Sequence, residues 1–280
     1  MRVDRVQSVR FERPLRVSAS EGVPELSVVI PVHNEAGNIG ALLAEVCSAL
    51  RGVVRFEVIC VDDASPDNTL EELRRSAADM PELRVLPLAR QSGQSTAIRV
   101  GVKSARGRWI ATLDGDGQND PADLPRLLSA RDAAGDDVRL IAGWRTKRRD
   151  RWDKRVASRI ANAVRQSLLH DATPDTGCGI KLFEREAFLD LPYFDHMHRY
   201  LPALMQRAGW RTISVPVNHR ARGAGASHYT NIGRALVGLS DLWGVAWLVR
   251  RSHVAKLLPS EGELQTKEDG DVIELDRSSA

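Results

Sequence analysis

At 280 residues, with 40 Lys plus Arg against 37 Asp plus Glu, a formal charge of +3 and 42% hydrophobic residues, the chain has an ordinary globular composition, long enough for one large domain or two small ones. Its three cysteines, Cys47, Cys60 and Cys178, are odd in number and form no CxxC, which argues against a disulfide framework or a zinc site and suits a reducing compartment. The net charge hides an asymmetry: residues 259–280 carry seven acids and two bases, while residues 142–166 carry nine bases and two acids, which suits a phosphate-bearing partner or a solvated helix face.

Residues 1–25 read as an extension. The first twenty hold five arginines and no apolar run, so neither a signal peptide nor a membrane anchor is expected there, and the chain is expected in the cytoplasm. From residue 26, short β-branched runs alternate with helical patterns, the mark of an α/β domain with a mostly parallel sheet flanked by helices. Strands are expected at Leu26 to Val32, Phe56 to Val61, Leu83 to Leu88, Trp109 to Leu113 and Val138 to Ala142, with helices over 38–51, 67–79, 94–105 and 121–134. Ser65-Pro66 and Asp120-Pro121 each place a capping side chain before a proline suited to the first helical position.

After Ala142 the pattern predicts a basic loop, a helix over 153–169, a strand near 180–183, helices near 185–190 and 199–208, a strand over 212–217 and a last helix over 230–251. The domain is expected to span 26–258, with halves at 26–143 and 144–258, followed by an acidic tail, 259–280, too polar to fold. Residues 235–249 are apolar apart from Asp241 but fall short of the ~20 residues needed to cross a bilayer. A surface position, on a membrane or a protein, is expected instead.

In an open parallel sheet, ligands bind beyond the carboxyl ends of the strands. Three polar clusters fall there: Pro31-Val32-His33-Asn34-Glu35, Asp62-Asp63-Ala64-Ser65-Pro66-Asp67 and Asp114-Gly115-Asp116-Gly117-Gln118. Gly115 and Gly117 let the backbone turn so that both aspartates can face one point. Adjacent carboxylates repel unless a cation or a shared proton compensates, and Mg²⁺ is typically held by one or two carboxylates plus phosphate oxygens. The pattern therefore points to a metal and a nucleotide diphosphate, with an acidic turn or helix capping as the plainer reading of any one cluster.

In their order and spacing, PVHNE, VDDASPDNT and LDGDGQNDP resemble family 2 glycosyltransferases of the glycosyltransferase A fold. RQSGQSTAIRVGV, DTGCGIKLF and the HRYLPAL-to-RGAGASHY segment narrow the resemblance to the branch of dolichyl-phosphate mannose synthase and bacterial polyprenyl-phosphate glycosyltransferases, over about residues 26–250. The resemblance implies that Pro31, Asn34, Glu35, Asp62 and Asp63 bind the nucleoside. It implies that Asp114, Asp116 and Gln118 hold Mg²⁺ or Mn²⁺ and the diphosphate as the catalytic set. The donor would be a GDP- or UDP-linked sugar.

The implied acceptor, a polyprenyl phosphate, is already anionic at neutral pH, so its nucleophile needs cations rather than a general base. Arg145, Arg199 and Arg222 are the candidates, because guanidinium forks bind phosphate bidentately. The family's Arg-x-x-Gly-x-Ser-Lys-Tyr is matched at Arg222, Gly225, Ser227 and Tyr229, but His228, a weaker and pH-dependent cation, replaces the Lys. Ser227 and His228 join the expected acceptor-phosphate site.

The basic run 145–165 and the last helix, with Leu236, Leu239, Trp243 and Trp247 near Arg250 and Arg251, suit an anionic membrane surface. Core packing or a contact in a homo-oligomer is the other reading of those aromatics. Two rival functions remain: transfer to a hydroxyl, with Asp175 as general base, and nucleotide-sugar binding without catalysis. No helix-turn-helix, zinc or RNA-binding signature organises the basic patch for nucleic acid.

Overall fold

The computed structural model describes residues 22–146, 164–171, 173–220 and 231–253, with the backbone alone for 231–237. Arg222, Ser227, His228 and most of the basic run lie outside the described residues. Seven strands form one sheet: β1 Leu26–Val32, β2 Phe56–Asp62, β3 Leu83–Pro87, β4 Trp109–Thr112, β5 Val138–Arg145, β6 Lys181–Glu184 and β7 Arg211–Val217. Their spatial order is β3-β2-β1-β4-β6-β5-β7, parallel except for β6, which runs antiparallel to both neighbours. Every residue of β1 is buried, as expected of a central strand with helices on both faces.

The helices are α1 Ala36–Leu50, α2 Thr69–Asp79, α3 Gln94–Ser104, α4 Leu124–Asp132, α5 over 164–169, α6 Arg185–Leu189, α7 Leu201–Arg207 and α8 Asn231–Arg250. Two apolar layers sandwich the sheet. On one side Ile39, Leu43 and Val46 of α1 and Leu127 of α4 pack with Val28 and Ile30. On the other, Ile98 of α3, Leu204 of α7 and Val245 of α8 pack with Val29, Ile59 and Phe183.

The direction of β6 decides where the site forms. A parallel strand would carry its beginning to the far edge of the sheet. Antiparallel pairing instead sets Lys181 opposite Thr112 at the carboxyl end of β4, where Thr112 Oγ1 donates to the Gly179 carbonyl at 2.8 Å. The turn over 175–179 is thereby delivered to the same edge as the three acidic loops.

One expected cap works differently from its sequence reading. Asp120 accepts from the Ala122 N–H at 3.1 Å and starts a 3-10 turn at Pro121–Asp123 that leads into α4, as expected. Ser65-Pro66 does not start α2, which begins at Thr69. Its loop satisfies the free N–H groups before α1 instead: Asn34 N donates to Ser65 Oγ at 3.0 Å and Glu35 N to Thr69 Oγ1 at 2.9 Å. The first two strand-end loops are therefore laced together.

Candidate active site

At the end of β1, Pro31 is buried, and Asn34 is exposed at a φ of 60°, in the left-handed region that Asn tolerates. Glu35 accepts from Asn38 Nδ2 at 2.7 Å. At the end of β2, buried Asp62 takes the Ser65 hydroxyl. Asp63 Oδ1 accepts from Ser92 N at 2.7 Å and Oδ2 from Gly93 N at 2.9 Å. Both Asp63 oxygens are thus engaged in shaping the turn into α3.

That turn aims Gln94, the first residue of α3, at the third loop, where its Nε2 donates to Asp114 Oδ1 at 2.8 Å. The Asp114 N–H donates to Asn119 Oδ1 at 3.0 Å, and Gln118 N donates to Asp116 Oδ1 at 3.1 Å. Burial and the neighbouring Asp116 charge push the Asp114 carboxyl above the usual carboxylate range, against the pull of Lys181. Gly179 permits the approach: a Cβ there would sit 2.1 Å from Asp114 Oδ2 and 2.6 Å from Asn119 Oδ1.

After β7, Asn119 pairs with His219 in an isolated antiparallel bridge, and Arg220 N donates to the Gln118 carbonyl at 2.9 Å. Arg145, at the end of β5, reaches the same edge but is engaged. Its Nε donates to Asp175 Oδ2 at 2.7 Å and its Nη2 to Asp175 Oδ1 at 2.9 Å, a bidentate pair with both partners largely buried. Asp175 is therefore held as the counterion of Arg145 rather than presented as an open base.

A cavity of about 220 Å³ opens beside Asp114, bounded by Gln94, the Thr176–Gly179 turn, Lys181, His198 and Arg199. Lys181 is buried, and its ammonium donates to the Cys178 carbonyl. Burial pushes it below the ordinary lysine range, against the opposing pull of the Asp114 and Asp175 charges. His198 Nδ1 lies 2.7 Å from Ser95 Oγ, and burial, with Lys181 and Arg199 nearby, holds the imidazole well below its usual value and neutral.

The structure thus brings Pro31, Asp114 and Arg199 around one cavity, with Asp116, Gln118 and the first two loops beside it and Arg145 behind its Gly177 wall, where a Cβ would lie 3.4 Å from the guanidinium. Gln94, Lys181 and His198 are the additions. All three lie inside sequence stretches that carry the family resemblance, but only the fold reveals what they touch.

Comparison with known proteins identifies the family. Residues 27–191, more than half of the chain, match the family described as Glycosyl transferase family 2. Dodecaprenyl-phosphate galacturonate synthase of Rhizobium johnstonii is 34% identical over 231 residues, covering 81% of this chain and 68% of that protein. Undecaprenyl-phosphate 4-deoxy-4-formamido-L-arabinose transferase of Edwardsiella ictaluri is 35% identical, covering 73% of this chain and 62% of its own length. The chain therefore spans about two thirds of the length of these relatives.

Among solved structures, glucosyl-3-phosphoglycerate synthase of Mycobacterium tuberculosis with Mg²⁺ and UDP superposes with a TM-score of 0.60 at 17% identity, covering 83% of this chain and 81% of that one. The same enzyme with Mn²⁺, UDP and glucosyl-3-phosphoglycerate gives 0.57. At that identity the likeness speaks to the glycosyltransferase A fold alone. The family match and the sequence relatives carry the assignment: this chain belongs to glycosyltransferase family 2, in the branch of the polyprenyl-phosphate sugar transferases.

Proposed function

We propose that the chain transfers one sugar, with inversion, from a GDP- or UDP-linked donor to the phosphate of a polyprenyl phosphate at a membrane surface. The observation that carries this reading is the meeting of the Asp114–Asp116 turn with Lys181, Arg199 and the Arg145–Asp175 pair at one edge of the sheet. The two relatives named above differ in their sugar, so kinship leaves that choice open.

The donor set suits a hard divalent cation. Among the described residues no group of three or more His, Cys, Asp or Glu side chains could hold a metal. Two carboxylates completed by diphosphate oxygens are what Mg²⁺ and Mn²⁺ accept. When bound, the ion would offset charge building on the leaving diphosphate. Asp114 and Asp116 would hold it, with Gln94 fixing Asp114 and Gln118 closing the turn.

In the transfer, an oxygen of the acceptor phosphate bonds to the anomeric carbon as that carbon's bond to the donor's β-phosphate oxygen breaks. The electron pair leaves with the nucleoside diphosphate. No proton has to be removed, because the phosphate monoester is already anionic. A hydroxyl acceptor would need a free base, and Asp175, the candidate for it, has both oxygens on Arg145.

The membrane part of the reading rests on α8. Leu242, Val245 and Ala246 are buried against the body, whereas Leu239, Trp243 and Trp247 are 53%, 68% and 58% exposed at a spacing of four residues. Arg250 and Arg251 follow, a composition that suits the headgroup region of an anionic bilayer. No helix among the described residues is long and apolar enough to cross a membrane. The direct test is formation of a polyprenyl-phosphate sugar from purified protein, nucleotide sugars, Mn²⁺ and undecaprenyl phosphate.

A further inference from the structure

We infer that Asp241 of α8 is a positioning residue for the transfer: through His196 it holds the turn that carries His198 and Arg199 to the wall of the cavity. The inference rests on the transferase reading and adds to it a residue on the helix that this reading turns toward the membrane.

Asp241 is the one charged residue in the apolar stretch 235–249. An unpaired carboxylate there would be costly, and the fold gives it a partner. Its Oδ2 lies 2.9 Å from His196 Nδ1, and the Asp241 side chain is 17% exposed. His196 stands at a φ of 63°, a left-handed conformation that persists in a residue with a side chain where contacts hold it. Its carbonyl accepts from the Arg199 N–H at 3.0 Å, closing the 3-10 turn Met197–Arg199.

That turn reaches the site on its other side. His198 and Arg199 both line the cavity, and His198 Nδ1 lies 2.7 Å from Ser95 Oγ in the first turn of α3, next to Gln94. A path of contacts therefore runs from α8 through His196, His198 and Ser95 to Gln94 and Asp114. Two tyrosines bracket it: Tyr193 Oη is 2.6 Å from Thr96 Oγ1 of α3, and Tyr200 Oη donates to the Gly238 carbonyl of α8 at 3.2 Å. Beside the Asp241–His196 pair, a groove of about 370 Å³ opens between Tyr193 and Phe194 on one side and Gly244 and Trp247 on the other. Packing is open at that junction, so the Asp241–His196 bond rather than apolar contact fixes where the turn begins.

Contacts in a row amount to coupling only if breaking one moves the next. Turnover is measured with Mn²⁺, a panel of GDP- and UDP-sugars and citronellyl phosphate, without vesicles, so that membrane binding does not enter. Asp241→Leu is expected to lower kcat about tenfold or more, with the melting temperature held and the affinity for Mn²⁺ and nucleotide within about twofold. Asp241→Asn, whose side-chain oxygen can still accept from His196, is expected to restore most of the rate. His196→Gly keeps the left-handed backbone. Alone or combined with Asp241→Leu, it should match the Asp241→Leu loss within about twofold, because residues acting through one contact are not additive.

Ring ¹⁵N–¹H spectra of the histidines give a readout that needs no turnover. Asp241→Leu is expected to shift the His198 signals as well as those of His196, and Asp241→Asn to return them. A native kcat in Asp241→Leu, a loss matched by a fall in melting temperature, or His198 signals that stay in place overturns the inference. Turnover separates the two levels of the account: a His198 shift in a protein that transfers from no nucleotide sugar keeps the tie between α8 and the turn and removes the transferase reading.

Discussion

Gln94 Nε2 donates to Asp114 Oδ1 at 2.8 Å, so the first turn of α3 holds the leading aspartate of the DxD turn. A chain of contacts stands behind it: Asp63 fixes the Ser92 and Gly93 N–H groups, that turn aims Gln94, and Gln94 aims Asp114. A hydrogen bond to a charged group contributes about 1.5–3 kcal/mol, equivalent to roughly ten- to hundredfold in rate if it is lost in the transition state. Gln94→Leu is expected to lower transfer about tenfold and to raise the Mn²⁺ concentration for half-maximal rate. Gln94→Glu should be worse, since it sets a third carboxylate against Asp114 and Asp116. Metal titrations of initial rate check both.

Gly179 is a second point of leverage. Its absent Cβ leaves room for Asp114 Oδ2 and Asn119 Oδ1, both of which a methyl group would overlap. Gly179→Ala should displace the aspartate turn and cost about a hundredfold in rate, with overpacking of about 1–3 kcal/mol. A thermal melt beside the rate shows whether the loss belongs to the site or to the fold.

Asp175→Asn separates a positioning role from general-base catalysis. The Asn side chain can still accept one hydrogen bond from Arg145, so the expected change is roughly a tenfold rise in acceptor KM with the shape of the pH–rate profile retained. A general base would show itself differently, by a fall in kcat and loss of the acid-side inflection.

At the opposite edge of the sheet, Glu57 is 1% exposed and accepts from Ser27, Arg84 and the Arg106 backbone and side chain. Burial pushes its carboxyl up, but the Arg106 N–H, Arg84 and Ser27 outweigh burial and hold it below the usual 4.5. A depressed carboxylate contributes stability that is present above the unfolded value and lost as pH falls through the folded one. Glu57→Gln should cost about 2 kcal/mol, the loss of hydrogen bonds to a charged group, or some 4–8 °C in Tm, at pH 7, with a gap from the native chain that narrows below pH 4.5. The kcat should stay within about twofold, because this network lies at the edge away from the cavity.

Trp243→Ala combined with Trp247→Ala tests the interfacial role of α8. Both rings are exposed, so the melting temperature should hold. Binding to vesicles containing anionic phospholipid should fall at least tenfold, given 150–250 Å² of surface per aromatic side chain at about 25 cal/mol per Å². Equal vesicle binding would remove the membrane contact, whereas a change in oligomeric state would reassign the stripe to a contact between copies.

Much of the fold was legible in the residues. β1 through β4 begin where their apolar runs begin, because β-branched and aliphatic residues dominate these strands even where Ser27, Glu57 and Arg84 interrupt them. The direction of β6 was not, since a four-residue apolar run reads the same in parallel and antiparallel pairing. The later start of α2 was not legible because Ser65 Oγ and Asp67 Oδ2 accept from the Asn34 and Ala36 N–H groups before α1, contacts that depend on the neighbouring strand.

The acidic loops announced themselves by position at strand ends. Lys181 did not, because a lysine opening an apolar strand looks like a surface residue until β6 is set between β4 and β5. Arg145 was legible as a cation at the right edge, but its pairing with Asp175 joins residues thirty positions apart and depends on the turn that β6 positions.

The central claim is metal-dependent sugar transfer to a lipid phosphate. Purified protein is incubated with undecaprenyl phosphate, Mn²⁺ and a panel of GDP- and UDP-sugars, and the lipid fraction is read by mass spectrometry. The account predicts one polyprenyl-phosphate sugar, lost in excess chelator and reduced about a hundredfold or more by Asp116→Ala. Product formed at the native rate in chelator or by that variant, or transfer only to a hydroxyl acceptor, would contradict it.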